Sequence, residues 1–175
     1  MTDGLVDLAA KVRAIPDFPK EGILFRDIMP LLQDPISLRE AVDRIVEYGT
    51  GKHVDIVLGA EARGFILGAA VAYGLGAGFV CARKPGKLPY DTVAAEYDLE
   101  YGTDKLEVHA DAITPGQNVL VHDDLLATGG TARAKVDLVE KLGGKVVGIA
   151  FLIELSALKG RKKLEGYDVF SLITY

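Results

Sequence analysis

Residues 119–134 read VLVHDDLLATGGTARA, and the stretch changes character half-way. Val119 to His122 is a run of the kind that forms a buried strand, whereas Gly129 and Gly130 prevent the second half from continuing it. The strand therefore delivers Asp123 and Asp124 to its carboxyl end, and Ala127 to Thr131 turns the chain into a helix expected over residues 130–142. Glycines let backbone N–H groups approach a phosphate, a helix start supplies partial positive charge, and Thr128 and Thr131 add hydroxyl donors. Paired carboxylates beside such a cradle repel an anion unless they meet hydrogen-bond donors, and the two hydroxyls of a ribose are such donors. The stretch points to a sugar phosphate.

Outward from it, strand and helix alternate. Leu5, Leu8, Ala9 and Val12 predict a helix over residues 4–14, ended by Pro16 and Pro19, and residues 23–26 read as a short extended piece. Asp34 and Pro35 open a second helix with Leu38, Val42, Ile45 and Val46 as its apolar stripe. VDIVLG at 54–59, the helix from Gly64, GFVCA at 78–82, KVVGIAFLI at 145–153 and YDVFSLI at 167–173 complete the series. Residues 64–82 carry no charge, but Gly74, Gly76 and Gly78 break what would otherwise be a membrane span of about 18 residues. Strands this uniformly apolar, spaced by helices, predict an α/β fold: a mostly parallel twisted sheet flanked by helices, with ligands at the carboxyl ends of its strands.

Residues 83–113 depart from that rhythm. TVAAEYDLEY and KLEVHA, joined around Gly102, suggest an exposed hairpin of the size used for lids. The 175 residues fit one domain, residues 1–175. A formal charge of -5 argues against a broad nucleic-acid face, so an anionic ligand must meet a local basic cluster. The lone Cys81 precludes an intrachain disulfide, and MTDGLVDLAAKVRA is unlike a secretory leader, so a cytoplasmic protein is expected. No Lys follows the glycines as in an ATP-hydrolysing loop, and Phe79 spoils the dinucleotide pattern at residues 74–79. No metal-ligand spacing or catalytic triad pattern emerges from His53, His109, His122 and Cys81.

VLVHDDLLATGGTA resembles the phosphoribosyl-diphosphate signature of type I phosphoribosyltransferases. PDFPKEGILFRDIMPLL (16–32), EARGFILG (61–68), RKPGKLP (83–89), EYDLEYGTDKLEVH (96–109) and ELSALKGRKKL (154–164) resemble, in the same order, the adenine-using branch of that family. The resemblance implies the type I phosphoribosyltransferase fold, with a small N-terminal hood at about residues 15–32 and a flexible hairpin lid at about 84–110. It implies purine salvage: adenine and 5-phosphoribosyl diphosphate give AMP and diphosphate, with Mg2+ carried by the substrate and not held directly by the protein. Similar enzymes are homodimers, and the uncharged surface around Phe65, Ile66 and Tyr73 is where pairing is expected.

Carried over residue by residue, Asp123 and Asp124 hold the ribose hydroxyls, and Ala127, Thr128, Gly129, Gly130 and Thr131 wrap the 5-phosphate. Arg63, Arg83, Lys84 and Lys87 supply the diphosphate pocket and the local basic cluster, which would focus a polyanion. Leu24, Phe25, Arg26 and Leu125 receive adenine, with Phe25 and Leu125 sandwiching the ring and the main chain of Leu24 and Arg26 reading its edge. Glu100 is the implied catalytic acid or base, alongside Arg63, and Tyr101 helps close the lid. His122 stands where the family more usually has an apolar residue, and Ala62 replaces a small hydroxyl residue found in some members. Two alternatives stay open: a transferase for xanthine, hypoxanthine or guanine, and a ligand-sensing DNA-binding regulator built on the same domain.

Overall fold

The computed structural model describes residues 6–98 and 103–175. The helix expected at the start is replaced: one 3-10 turn, Ala9–Lys11, leads into strand β1, Arg13–Ile15, which pairs antiparallel with β2, Phe25–Asp27. Leu8 and Val12 still bury themselves as their spacing demanded, but pairing with Phe25–Asp27 overrides helix propensity at Arg13–Ile15. This two-stranded ribbon and the short helix α1, Met29–Gln33, occupy the segment expected to serve as the hood.

Helix α2, Pro35–Gly49, starts where Asp34 and Pro35 predicted, with the Asp34 side chain accepting from the Ile36 amide. After it come β3 (Ile56–Ala60), α3 (Gly64–Leu75) and β4 (Gly78–Ala82). Gly76, at φ 66°, closes α3 in the left-handed conformation, and no described helix is long and apolar enough to cross a membrane. β5 (Thr92–Asp98) and β6 (Thr103–His109) form the expected antiparallel hairpin. It is not simply exposed, however, because Ala95, Leu106 and Val108 are buried in a core shared with β7 (Asn118–Leu126) and α4 (Gly130–Lys141). Strands β8 (Lys145–Glu154) and β9 (Val169–Thr174) finish the chain, with two 3-10 turns between them, Ser156–Leu158 and Gly160–Leu164.

The central sheet has five strands in the order β4-β3-β7-β8-β9, all parallel. Successive side chains of β7 serve opposite faces: Val119 and Val121 join the core under α4 and the hairpin, while Leu120 joins the core under α2 and α3. β7 runs past His122, with Asp123 opposite Phe151 and Leu126 opposite Glu154. The ladder bonds through the backbone, so carboxylates do not end it when partners off the sheet satisfy them.

Candidate active site

Those partners come from two helices on opposite faces. Asp123, on the α4 side, accepts from Lys135 at 2.7 Å through Oδ2, and the same ammonium donates to the His122 carbonyl at 2.7 Å. Asp124 meets Arg63, at the head of α3, with Nε 2.8 Å from its Oδ2. Gly64 permits this crowding, since a Cβ there would lie 2.6 Å from Asp123 Oδ1. Burial first, and then the neighbouring Asp123 charge, push the Asp124 carboxyl above its usual range, while Arg63 pulls it back. His122 is fully buried; its Nδ1 donates to the Ala150 carbonyl at 3.0 Å, Nε2 has no partner among the described residues, and burial lowers its pKa to about 4. The imidazole is neutral, in keeping with a strand position and not a catalytic one.

Beyond the acidic pair, residues 127–129 turn into α4, whose first residues, Gly130, Thr131 and Ala132, line an open cavity of about 380 Å3. Gly129 caps the helix at φ 81°, a conformation glycine adopts without steric cost. The loop rests on Gly160: a Cβ on either glycine would collide with the other's surroundings, on Gly129 with the Gly160 carbonyl and on Gly160 with the Ala127 carbonyl. The cavity wall contains Asp123, Asp124, Ala127, Thr128, Gly129, Gly130 and Thr131, the residues expected around a sugar phosphate, together with Leu125, expected at adenine, and Glu61, Ala62 and Arg63.

The four expected cations do not gather there. Of them, only Arg63 lines the cavity. Arg83 is clamped by Glu61, whose Oε2 accepts from Nη2 at 2.9 Å and Nε at 3.1 Å, while Oε1 accepts from the Lys84 amide at 2.6 Å. The Lys84 amide first, and then Arg83, hold the Glu61 carboxyl below its usual range. Lys84 Nζ lies 3.2 Å from Asp104 on the hairpin, and Lys87 lines a separate cavity of about 510 Å3 with Arg83 and Leu88. The Phe25 ring of β2 has its centre 5.1 Å from the Arg63 guanidinium, and Phe18 packs edge-on to that ring at 5.2 Å. Phe25 and Leu125 thus approach the site from the hood and the strand end respectively. Leu24 is exposed, and Arg26 stacks on the Tyr175 ring at 3.6 Å. Glu100 and Tyr101 lie outside the described residues.

Residues 32–174 match the family described as the phosphoribosyl transferase domain. The chain belongs to that family. This phosphoribosyltransferase is 61% identical over 170 residues to the adenine phosphoribosyltransferase of Thermotoga maritima, covering 97% of this chain and 98% of that one. The crystal structure of adenine phosphoribosyltransferase from Thermoanaerobacter pseudethanolicus superposes with a TM-score of 0.95 at 52% identity, covering 98% of this chain and 100% of the other. That of the Giardia lamblia enzyme complexed with 9-deazaadenine gives 0.93 at 40% identity, with 99% of each chain covered. The sheet and helices are therefore those of the type I phosphoribosyltransferase fold expected from the motifs.

Sequence reasoning missed three residues of this phosphoribosyltransferase that the geometry brings forward: Glu61, Lys135 and Gly160. Lys135 had a sequence signature, a charge at a helical position aligned with Ala132, Leu138 and Val139.

Proposed function

We infer that the chain is a purine-salvage transferase moving the 5-phosphoribosyl group from 5-phosphoribosyl diphosphate to adenine, giving AMP and diphosphate. One observation carries it beyond the family likeness: two adjacent carboxylates, each with its own cation, stand beside a glycine loop that opens α4 onto one cavity. The amide groups of residues 128–131 and the α4 terminus bind the 5-phosphate. Asp123 and Asp124 accept from the two ribose hydroxyls, and Arg63 exchanges Asp124 for the diphosphate as the sugar arrives. Adenine enters between Phe25 and Leu125, its edge read by the main chain of Leu24 and Arg26. The base nitrogen bonds to the anomeric carbon as the carbon–oxygen bond to diphosphate breaks, through an oxocarbenium-like sugar, and Glu100 takes the proton the base gives up. Arg83, Lys84 and Lys87 meet the diphosphate when the hairpin closes, with Tyr101 helping to exclude water. Mg2+ would be held by the sugar diphosphate and not by a protein side chain, and would supply charge compensation there. The donor set suits a metal held by the sugar phosphate, since Asp123 and Asp124 already carry their own cations and Mg2+ keeps most of its waters.

A spectrophotometric assay against a panel of purine bases tests this. Hypoxanthine presents a carbonyl and a ring N–H where adenine presents an amino donor and a ring acceptor, and a buried mismatch of that kind costs about 10⁴-fold. Adenine is expected to be used and hypoxanthine and guanine barely, with Glu100→Gln lowering kcat more than adenine affinity. Comparable kcat/KM on hypoxanthine would overturn the base assignment, and an unchanged rate for Glu100→Gln would remove its proton-transfer role.

The working unit in this proposal is a cytoplasmic homodimer. Arg63, Ile66, Ala70 and Tyr73 share one face of α3, on which Ile66 is 45% and Tyr73 90% exposed, while Phe65 turns inward against Phe79. Pairing through that face would brace Arg63. Sedimentation at assay concentration is expected to give twice the chain mass, and a fully active monomer would sink the idea.

A further inference from the structure

Neighbouring residues on a strand point to opposite faces, so no single cation can serve both members of the acidic pair. This chain uses two, and they differ in freedom. Arg63 is 31% exposed at the head of α3, whereas Lys135 is 0% exposed in the middle of α4. A buried ammonium with no exit stays with its partner.

Resting on the function inferred above, we propose that Lys135 is a positioning residue for the sugar substrate, the permanent counter-ion that keeps Asp123 a correctly aimed carboxylate while Arg63 leaves for the diphosphate. Asp123 is fixed at both oxygens, Oδ2 by Lys135 at 2.7 Å and Oδ1 by the Asp124 amide at 3.0 Å. Each oxygen has lone-pair capacity for a further donor, so the clamp sets its direction without using it up. The second Lys135 bond, to the His122 carbonyl, anchors the ammonium to the same strand. Core packing alone would be served by an aliphatic residue, as at Ala132, Leu138 and Val139 on the same helix. Removing one partner of a buried pair leaves the other charge uncompensated.

The groups around Asp123 are Lys135 from α4, Asp124 with its Arg63 partner and neutral His122 on its own strand, and Tyr97 of the hairpin, whose ionisation is opposed first by burial, then by Asp104 and last by Asp123. Without Lys135, Arg63 alone is left to favour the Asp124 carboxylate, and Asp124 deprotonation moves to higher pH.

Steady-state kinetics and calorimetry on Lys135→Met test this. The expected result is a rise of about 30-fold in the KM and Kd for 5-phosphoribosyl diphosphate, with the KM for adenine unchanged within about twofold. The acid limb of kcat/KM for the sugar substrate should move up by about one pH unit. In an Asp123→Asn background the same substitution should add less than about twofold, because the residue acts through that carboxylate. Wild-type sugar affinity and an unmoved profile would overturn the proposal, as would equal rises in both KM values or full additivity with Asp123→Asn. Should Lys135→Met fail to fold, the paired variant decides. A folded protein with the sugar affinity of Asp123→Asn supports the coupling, and one that stays unfolded or binds differently overturns it. Calorimetry needs no turnover, so a wild-type chain inactive on adenine would sink the proposed function while the Lys135 effect could still be read.

Discussion

Asp124→Asn is expected to lower kcat/KM for 5-phosphoribosyl diphosphate by about 10- to 150-fold, the equivalent of one charge-assisted hydrogen bond of about 1.5–3 kcal/mol. The amide keeps the shape of the side chain and loses its capacity to accept at both atoms, so a ribose hydroxyl that donated to the carboxylate is left with a poorer partner. Asp123→Asn should behave similarly and lose its Lys135 clamp as well. Stability should move the other way. Because burial raises the Asp124 carboxyl, that group contributes stability in full below its ordinary value near 3.8 and loses it as pH rises toward the raised one. Thermal melts at pH 8 should therefore find Asp124→Asn no less stable than the parent, with its relative advantage growing from pH 4 upward. A double Asn variant that folds and retains parental catalysis would disprove the ribose-hydroxyl role.

Gly160→Ala is expected to raise the KM for 5-phosphoribosyl diphosphate about 100-fold, although Gly160 is outside the cavity wall. A methyl group there would lie 2.9 Å from Leu126 Cδ1, 3.1 Å from the Gly129 amide nitrogen, and closer still to the Ala127 carbonyl. Two of those three neighbours are backbone of the loop itself, which cannot rotate aside as a side chain would. The loop must shift as a whole, misaligning the amide groups proposed to bind the 5-phosphate. Overpacking of this kind costs about 1–3 kcal/mol, so the variant should still fold. Parental KM in a folded Gly160→Ala protein would show that the loop tolerates displacement.

Residues 119–142 were legible in the sequence because three local patterns coincide there: an apolar run, a glycine turn and a helical stripe. The chain from Gly4 to Ala14 misled for the same reason, since a spacing of four between Leu8 and Val12 suits a helix but also suits one 3-10 turn followed by a strand. The pairing of Ile15 with Phe25 that decided the matter is a tertiary contact. Gly160 was out of reach for a related reason, because nothing local in ALKGRKK announces that Gly129 lies against it. Hairpin burial fell between these cases: alternation predicted the strands, but only the presence of α4 beneath them determined which face was covered.

The pairing of charges around the site bears on how substrate is gathered from solution. Arg63 is offset by Asp124, Lys135 by Asp123, Arg83 by Glu61 and Lys84 by Asp104, within a chain whose formal charge is -5. Seen from a Debye length away, about 8 Å at physiological ionic strength, such pairs present small dipoles, and of the four expected cations Lys87 is left to supply a positive field. The amide groups at the head of α4 are strong attractors, but their reach is about one helical turn. Encounter with the polyanion is consequently only weakly steered, and salt should act on complex lifetime more than on the rate of first contact.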